Sequence, residues 1–408
     1  MESFDKLPQE SKKILNSIPE LINKTFPIPG KFRGALPSDI AELSRLLTNS
    51  RGERSLSYLG WPNYLSAYLH YFLPWNLYRL CILLQAVNLK LSAGDIITDL
   101  GCGPLTFMSA LMIMRPDLRS IPLEFNCVDR VLPVLEAGKK FFKALCELTE
   151  SENSCAWKIN LIKKDININK TASSKEVSRA AHHNASLVCA VNMFNEQYDR
   201  ISHNNTGALR QTAKNAALFM HSEASGDASI LTVEPGVPQS GRFIAFLREA
   251  FIELERLPSA PCPHSTDCPL LRKQDQRRPA GKQQTNKKRW CHFAFEAADA
   301  PKDLQRLSTA AKLQKERLTF SFLLAGAVKA KTETQKREQF SIRVISDAFP
   351  LPGGIFGRYG CSADGLVLLT GEKTRIEKAG SLSSLKTNSF TVTEERDAKS
   401  GALIAELK

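Results

Sequence analysis

The chain lacks any apolar run approaching the roughly 18–20 residues that a membrane-spanning helix requires. Its most hydrophobic stretch, Leu77 to Leu91, is interrupted by Arg79, so no membrane partner is expected. Met1 to Phe26 has mixed charge and no basic stretch followed by an apolar core, so no secretory signal is visible. Ten cysteines without export are expected to be reduced thiols or metal ligands rather than disulfides. That reading places the chain in the cytoplasm or an equivalent compartment. Acidic residues are in deficit, with 42 Asp and Glu against 55 Lys and Arg and a net charge of +13.

The excess of positive charge is not spread evenly. Between residues 272 and 289, Arg272, Lys273, Arg277, Arg278, Lys282, Lys287, Lys288 and Arg289 face only Asp275. Such a run favours a polyanion, of which RNA is the commonest in a cell. The bland alternative is a solvated loop that aids solubility.

At 408 residues the chain exceeds a usual single domain. Residues 1–75 read as a helical region, with Leu7, Ile14, Ile18, Leu21 and Ile22 at roughly helical spacing and a second helix over Asp39–Thr48. The stripe Tyr58, Trp61, Tyr64, Tyr68 and Tyr71 is expected to be core. From 76 to 330 helix and strand alternate. Strands are predicted at Asp95–Leu100, Leu123–Val128, Trp157–Ile162, Ser186–Val191 and Ser229–Val233, with helices over Leu77–Leu89, Phe107–Met114 and Leu132–Cys146. This order argues for a mostly parallel sheet covered by helices on both faces. Beyond Glu316 a polar helix gives way to strand-like sequence, and residues 336–408 read as a small β-rich appendage with strands at Phe340–Ile345 and Gly365–Thr370.

Where the first strand turns into a helix the text is Asp99-Leu100-Gly101-Cys102-Gly103-Pro104. Glycine here permits close approach of a ligand and positive φ. A dinucleotide site wants a further glycine at position 106, which is threonine. S-adenosylmethionine has no phosphate and needs only the close-approach glycines and a carboxylate for its ribose, which Asp129 is placed to supply. After the fourth predicted strand the sequence Val191-Asn192-Met193-Phe194-Asn195-Glu196 has no proline. The Asn/Asp-Pro-Pro-aromatic grip of base-nitrogen methylation is therefore missing. Cys189 follows Val188, so the Pro-Cys pair of covalent base-carbon methylation is missing too. Asn195 and Glu196 are left to polarise a substrate or to hydrogen-bond the cofactor or loop. Glu234-Pro235-Gly236 is read as a turn lining the pocket, with a catalytic carboxylate as the alternative.

Four cysteines in the second half stand apart: Cys262-Pro263-His264 and Cys268-Pro269, Trp290-Cys291-His292-Phe293, and Gly360-Cys361. Five, 22 and 69 residues separate them in turn. Thiolates from separate segments suit a soft metal centre, and an iron–sulfur cluster is as plausible as zinc. His264 and His292 are candidates to coordinate zinc or to hydrogen-bond a cluster sulfur.

Together with Tyr68-Leu69, Leu73-Pro74, Val233–Pro238, Gly241-Arg242 and Glu316–Leu318, these segments carry a resemblance from about Tyr64 to Gly365. The chain resembles the methyltransferase-like assembly factors of the small ribosomal subunit, found in mitochondria and many bacteria. The resemblance implies an α/β, class I methyltransferase-like (Rossmann-like) core that binds S-adenosylmethionine through Asp99, Gly101, Gly103, Pro104, Asp129, Asn195 and Glu196. It implies a [4Fe-4S] cluster on Cys262, Cys268, Cys291 and Cys361, the first three in a cysteine-rich segment at 258–295 and the last in the β-rich appendage. The implied partner is the RNA of the small subunit and its precursors, bound by a chain that is monomeric when free. The implied place is the cytoplasm, or the mitochondrial matrix in a eukaryote. Leu105 stands where the family's third glycine is usual, and the basic run expands the interval between Cys268 and Cys291. The leading expectation is an RNA-binding assembly factor. An active rRNA methyltransferase and a small-molecule methyltransferase with structural zinc are the alternatives.

Overall fold

The computed structural model describes residues 6–48, 58–150, 155–168, 184–199, 201–202, 204–271, 290–328, 341–379 and 384–408. The eight cations of the basic run lie outside these residues.

Eight strands form the first sheet: β1 (Ile96–Leu100), β2 (Glu124–Asp129), β3 (Lys158–Lys163), β4 (Ala185–Val191), β5 (Ala224–Pro235), β6 (Arg256–Ala260), β7 (Phe293–Glu296) and β8 (Arg317–Val328). Their order is β3-β2-β1-β4-β5-β8-β6, with β7 pairing the start of β8. The first five are parallel, and β8 runs antiparallel between β5 and β6. That order reverses direction of growth between β1 and β4, which opens a crevice above the carboxyl ends of those strands. The fold is therefore the expected α/β, class I methyltransferase-like architecture.

Where the polar helix is expected to give way to strand-like sequence, beyond Glu316, the structure has β8. Its Leu318, Phe320, Phe322, Leu323 and Leu324 are buried, and a twelve-residue strand flanked by partners on both sides needs such a run. The neighbouring helix, Lys302–Ala310, precedes β8.

Helix Thr106–Met114 follows β1 and every one of its side chains is buried. Its sequence is apolar on all sides, so it sits inside the molecule rather than on it. Helices Gln9–Thr25 and Leu73–Ala86 pack over it. Between Tyr68 and Phe72 the chain makes a π-helical turn before entering Leu73–Ala86. Such insertions are frequent at functional sites. Of the aromatic stripe, Tyr58 and Tyr71 are buried as expected, but Trp61 is 58% exposed.

The C-terminal sheet contains β9 (Ser341–Val344), β10 (Phe349–Pro350), β11 (Phe356–Ser362), β12 (Gly365–Gly371), β13 (Ser384–Lys386), β14 (Phe390–Arg396) and β15 (Leu403–Leu407). It has its own core of Ile342, Val344, Val367, Leu369, Ile376, Phe390 and Ala405.

The turn after β1 rests on helix Leu132–Leu148 at Gly138. A Cβ there would fall 2.6 Å from the Pro104 carbonyl carbon and 2.8 Å from Leu105 Cγ. Gly138→Ala is expected to cost about 1–3 kcal/mol by overpacking, read from urea denaturation; an unchanged midpoint would show that the turn gives way freely.

Candidate functional site

A cavity of about 330 Å³ opens at the carboxyl ends of β1, β2, β4 and β5. Its volume lies in the range of small-molecule sites. Gly101 (φ 65°) and Gly103 (φ 54°) carry the chain past it in the left-handed region. A Cβ on Gly101 would collide with Met193 Cγ and lie 2.8 Å from its Cβ, so space as well as φ favours glycine here. Leu105 also has φ 55° and is fully buried. A leucine held left-handed costs roughly 1–2 kcal/mol, which explains why glycine is the easier residue at this position.

Asp129 leaves the end of β2 into the cavity. Its Oδ2 accepts from Gly103 N–H (3.0 Å) and its Oδ1 from Val131 N–H (2.9 Å). Burial outweighs these bonds and raises its pKa. Glu196 is ion-paired to Arg130 at 2.6 Å, and Tyr58 donates to its other oxygen at 3.5 Å. Asn195 also lines the cavity. Gly101, Gly103, Asp129, Asn195 and Glu196 are thus brought together on one cavity wall.

Asp99 and Pro104 are not on the cavity wall. Asp99 is 1% exposed, and its carboxyl is pushed up to about 7 by burial beside Cys189. Glu234 does not face the cavity as a catalytic carboxylate either. It is fully buried and accepts from the backbone N–H groups of Phe194 (2.9 Å) and Asn195 (3.0 Å) and from Tyr198 Oη (3.0 Å). Its role is to hold the turn that presents Asn195 and Glu196.

Sequence reading missed several wall residues. Tyr58, Tyr68, Tyr71 and Trp75 line the cavity with Arg79 and Lys315. The stripe of rings was visible, but its spacing was equally that of a core helix. Arg79 carried a signal, as a cation inside an otherwise apolar run.

Cys262, Cys268, Cys291 and Cys361 surround a second, small cavity of about 20 Å³, shared with Arg248, His264 and Arg343. The four thiols come from the segment after β6, from the approach to β7 and from β11. Among the described residues, no group of three or more His, Cys, Asp or Glu is arranged to hold a metal ion. The thiols converge on one space without being closed onto an ion.

Two arginines reach into that space. Arg248 Nε donates to Cys262 Sγ (3.2 Å), and its Nη2 donates to the carbonyls of His264 (2.8 Å) and Thr266 (2.7 Å). Arg343 Nη1 donates to Cys291 Sγ (3.3 Å) and Nη2 to the His292 carbonyl (3.1 Å), while its guanidinium lies 4.2 Å from the Phe293 ring centre. They are 2% and 1% exposed. Arg248 Nη1 and Arg343 Nε find no partner of ordinary hydrogen-bond geometry. Neither makes an ion pair with a carboxylate among the described residues. Burial alone would lower the Arg343 pKa, yet the sulfurs of Cys291, Cys361 and Cys262 turn the shift upward. Burial raises Cys262, Cys268 and Cys361, so the protein matrix favours the neutral thiols. A bound metal reverses that preference, because a coordinating thiol is deprotonated.

His264 lies beside this cavity, with Nδ1 2.9 Å from Thr266 Oγ1. His292 does not line it. Its ring stacks on Trp290 at 4.4 Å, and its Nδ1 is 3.0 Å from the Trp290 carbonyl oxygen.

A family model described as mitochondrial small ribosomal subunit Rsm22 matches residues 137–349, just over half of the chain. The chain belongs to the Rsm22 family. The matched span contains Asn195, Glu196, Cys262, Cys268 and Cys291; Gly101, Gly103 and Asp129 precede it and Cys361 follows it. No curated protein matched the sequence. Among solved structures, one from Listeria monocytogenes described as a class I S-adenosylmethionine-dependent methyltransferase is 10% identical, covering 81% of this chain and 90% of that one, with a TM-score of 0.34. A 16S rRNA (adenine(1408)-N(1))-methyltransferase from Catenulisporales acidiphilia is 11% identical over 60% of this chain and 90% of that one, with a TM-score of 0.30. The fold assignment of this Rsm22-family chain rests on its own strand order.

Burial lifts the folded-state pKa of Asp99, so the stability it contributes is complete below its ordinary value of 3.8 and is lost as pH rises through about 7. Asp99→Asn is expected to flatten the fall in melting temperature between about pH 4 and 7. An unaltered pH profile would show that Asp99 titrates normally.

Proposed function

We propose that this chain is an RNA-binding, methyltransferase-like factor of the small ribosomal subunit that binds S-adenosylmethionine and carries a four-cysteine iron–sulfur centre. The observation that carries it is the convergence of Cys262, Cys268, Cys291 and Cys361 around two buried arginines that lack carboxylate partners among the described residues. A buried cation without a counter-charge is costly. A metal bound by four thiolates is anionic overall, whether it is one zinc ion or a [4Fe-4S] core. The donor set and its counter-cations therefore fit such a group. When bound, it supplies negative charge and a cross-link between segments that are far apart in sequence.

S-adenosylmethionine suits the larger cavity for a separate reason. Gly101 and Gly103 leave room for a ligand beside the chain, and Asp129 and Glu196 offer carboxylate oxygens to ribose hydroxyls. The name of the family supports the small subunit as the place of action. The cations from Arg272 to Arg289, together with the net charge of +13, support RNA as the partner. Positioning rather than methyl transfer is the reading preferred. Glu196 is held by Arg130 and Glu234 is walled in, so neither is poised as a base.

Anaerobic purification should yield iron and sulfide in equal, stoichiometric amounts with broad absorbance in the visible, all lost in Cys262→Ser. Stoichiometric zinc without sulfide would replace the cluster with a zinc centre, and no metal at all would reject both. Transfer of labelled methyl from S-adenosylmethionine to small-subunit RNA would move the assignment to an active enzyme. Neutralising the eight cations of the basic run should weaken RNA binding and flatten its salt dependence by about 0.7 in the log–log slope for each phosphate no longer neutralised. An unchanged slope would assign RNA binding to another surface.

A further inference from the structure

The larger cavity contains a pair of cations that ribose and adenine do not explain. Arg79 projects from helix Leu73–Ala86, and Lys315 lies just before β8; both line the wall. They are close enough to repel, since Arg79 is among the causes that depress Lys315. Arg79 Nη1 donates to Asn76 Oδ1 (2.7 Å), while its Nε is buried without a hydrogen-bond partner. Lys315 Nζ lies 5.8 Å from the Tyr71 ring centre and 5.9 Å from that of Trp75. Neither cation makes an ion pair among the described residues, and Lys315 makes no hydrogen bond there.

This arrangement is unfavourable in the empty protein. Burial lowers Arg79 to about 10 and Lys315 to about 8, in each case as the leading cause. Cation–π contact with Tyr71 and Trp75 offsets only part of the lost solvation. The carboxylates nearby are already engaged: Asp129 by two backbone N–H groups and Glu196 by Arg130. Two like charges held together around an open cavity, one with an unused N–H, are what an incoming oxyanion would satisfy.

We propose that Arg79 and Lys315 form an oxyanion subsite in the cavity, taking a carboxylate or phosphate group of the bound ligand. The proposal deepens the cofactor-and-RNA reading of the cavity and rests on it. Two sources share this chemistry: the amino-acid carboxylate of S-adenosylmethionine, and the phosphate of a nucleotide whose base stacks on the ring wall of Tyr68, Tyr71 and Trp75.

Binding to the full-length chain separates them. Wild type, Arg79→Gln and Lys315→Met are titrated with S-adenosylhomocysteine, with methylthioadenosine, which lacks the carboxylate, and with adenosine 5′-monophosphate. Loss of one charge-assisted hydrogen bond should weaken an oxyanion-bearing probe by about tenfold or more, leaving methylthioadenosine unchanged. A loss confined to S-adenosylhomocysteine assigns the subsite to the cofactor's carboxylate; a loss confined to the monophosphate assigns it to a nucleotide. Lys315 is half-buried, so Lys315→Met carries the test if Arg79→Gln does not fold. Wild type that binds these probes while the variants bind all three equally well, or lose all three alike, overturns the subsite. Wild type that binds none of them overturns the cavity reading itself, and the subsite with it.

Discussion

Two guanidinium groups buried among four thiols are the constraint around which the second half of this molecule is arranged. Arg248 belongs to helix Pro238–Glu253 and Arg343 to β9, so one arginine comes from each side of the junction between the methyltransferase-like core and the C-terminal sheet. Each donates to a cysteine of the core segment, Cys262 or Cys291, while Cys361 comes from β11 of the other sheet. Burying such charges without a carboxylate is costly, and neutral thiols offset little of that cost. The proposed thiolate-bound metal would supply the missing negative charge at this junction.

The same segment ties the junction to the cofactor-type cavity. Trp290 Nε1 donates to the carbonyl of Gly236, a wall residue, at 3.0 Å, and Ser321 Oγ donates to the Cys291 carbonyl at 2.6 Å. Gly241 makes room for this path. A Cβ there would sit 2.6 Å from Trp290 Cδ1 and 2.8 Å from the Cys291 oxygen. Only a few covalent bonds separate the Trp290 indole from the Cys291 thiol.

Much of this was legible in the sequence, for identifiable reasons. Strands β1 to β5 announced themselves because parallel strands buried on both faces read as short apolar runs between helices. Gly101 and Gly103 were recognisable because backbone geometry there forbids most side chains. The four cysteines were conspicuous by type. By contrast, the bounds of β8 were not delimited, because its apolar run is a short buried stretch with charged residues up to its start. Arg248 and Arg343 went unnoticed, although each interrupts an apolar stretch, in Phe243–Phe251 and Phe340–Ile345. Their partners are thiols tens of residues away, which no local pattern encodes. Asp99 was drawn to the cofactor by its place before the glycines, whereas the pleat of β1 turns it inward toward Cys189.

The central claim is that a metal held by the four thiols fastens the C-terminal sheet to the core. Hydrogen–deuterium exchange before and after removal of the metal by a chelator under anaerobic conditions tests it most directly. The account predicts that amides of residues 262–268, 290–293, 341–344 and 356–362 lose protection together on stripping, while β1 to β4 stay protected. Unchanged exchange across all four segments in a protein shown to have lost its metal would contradict it.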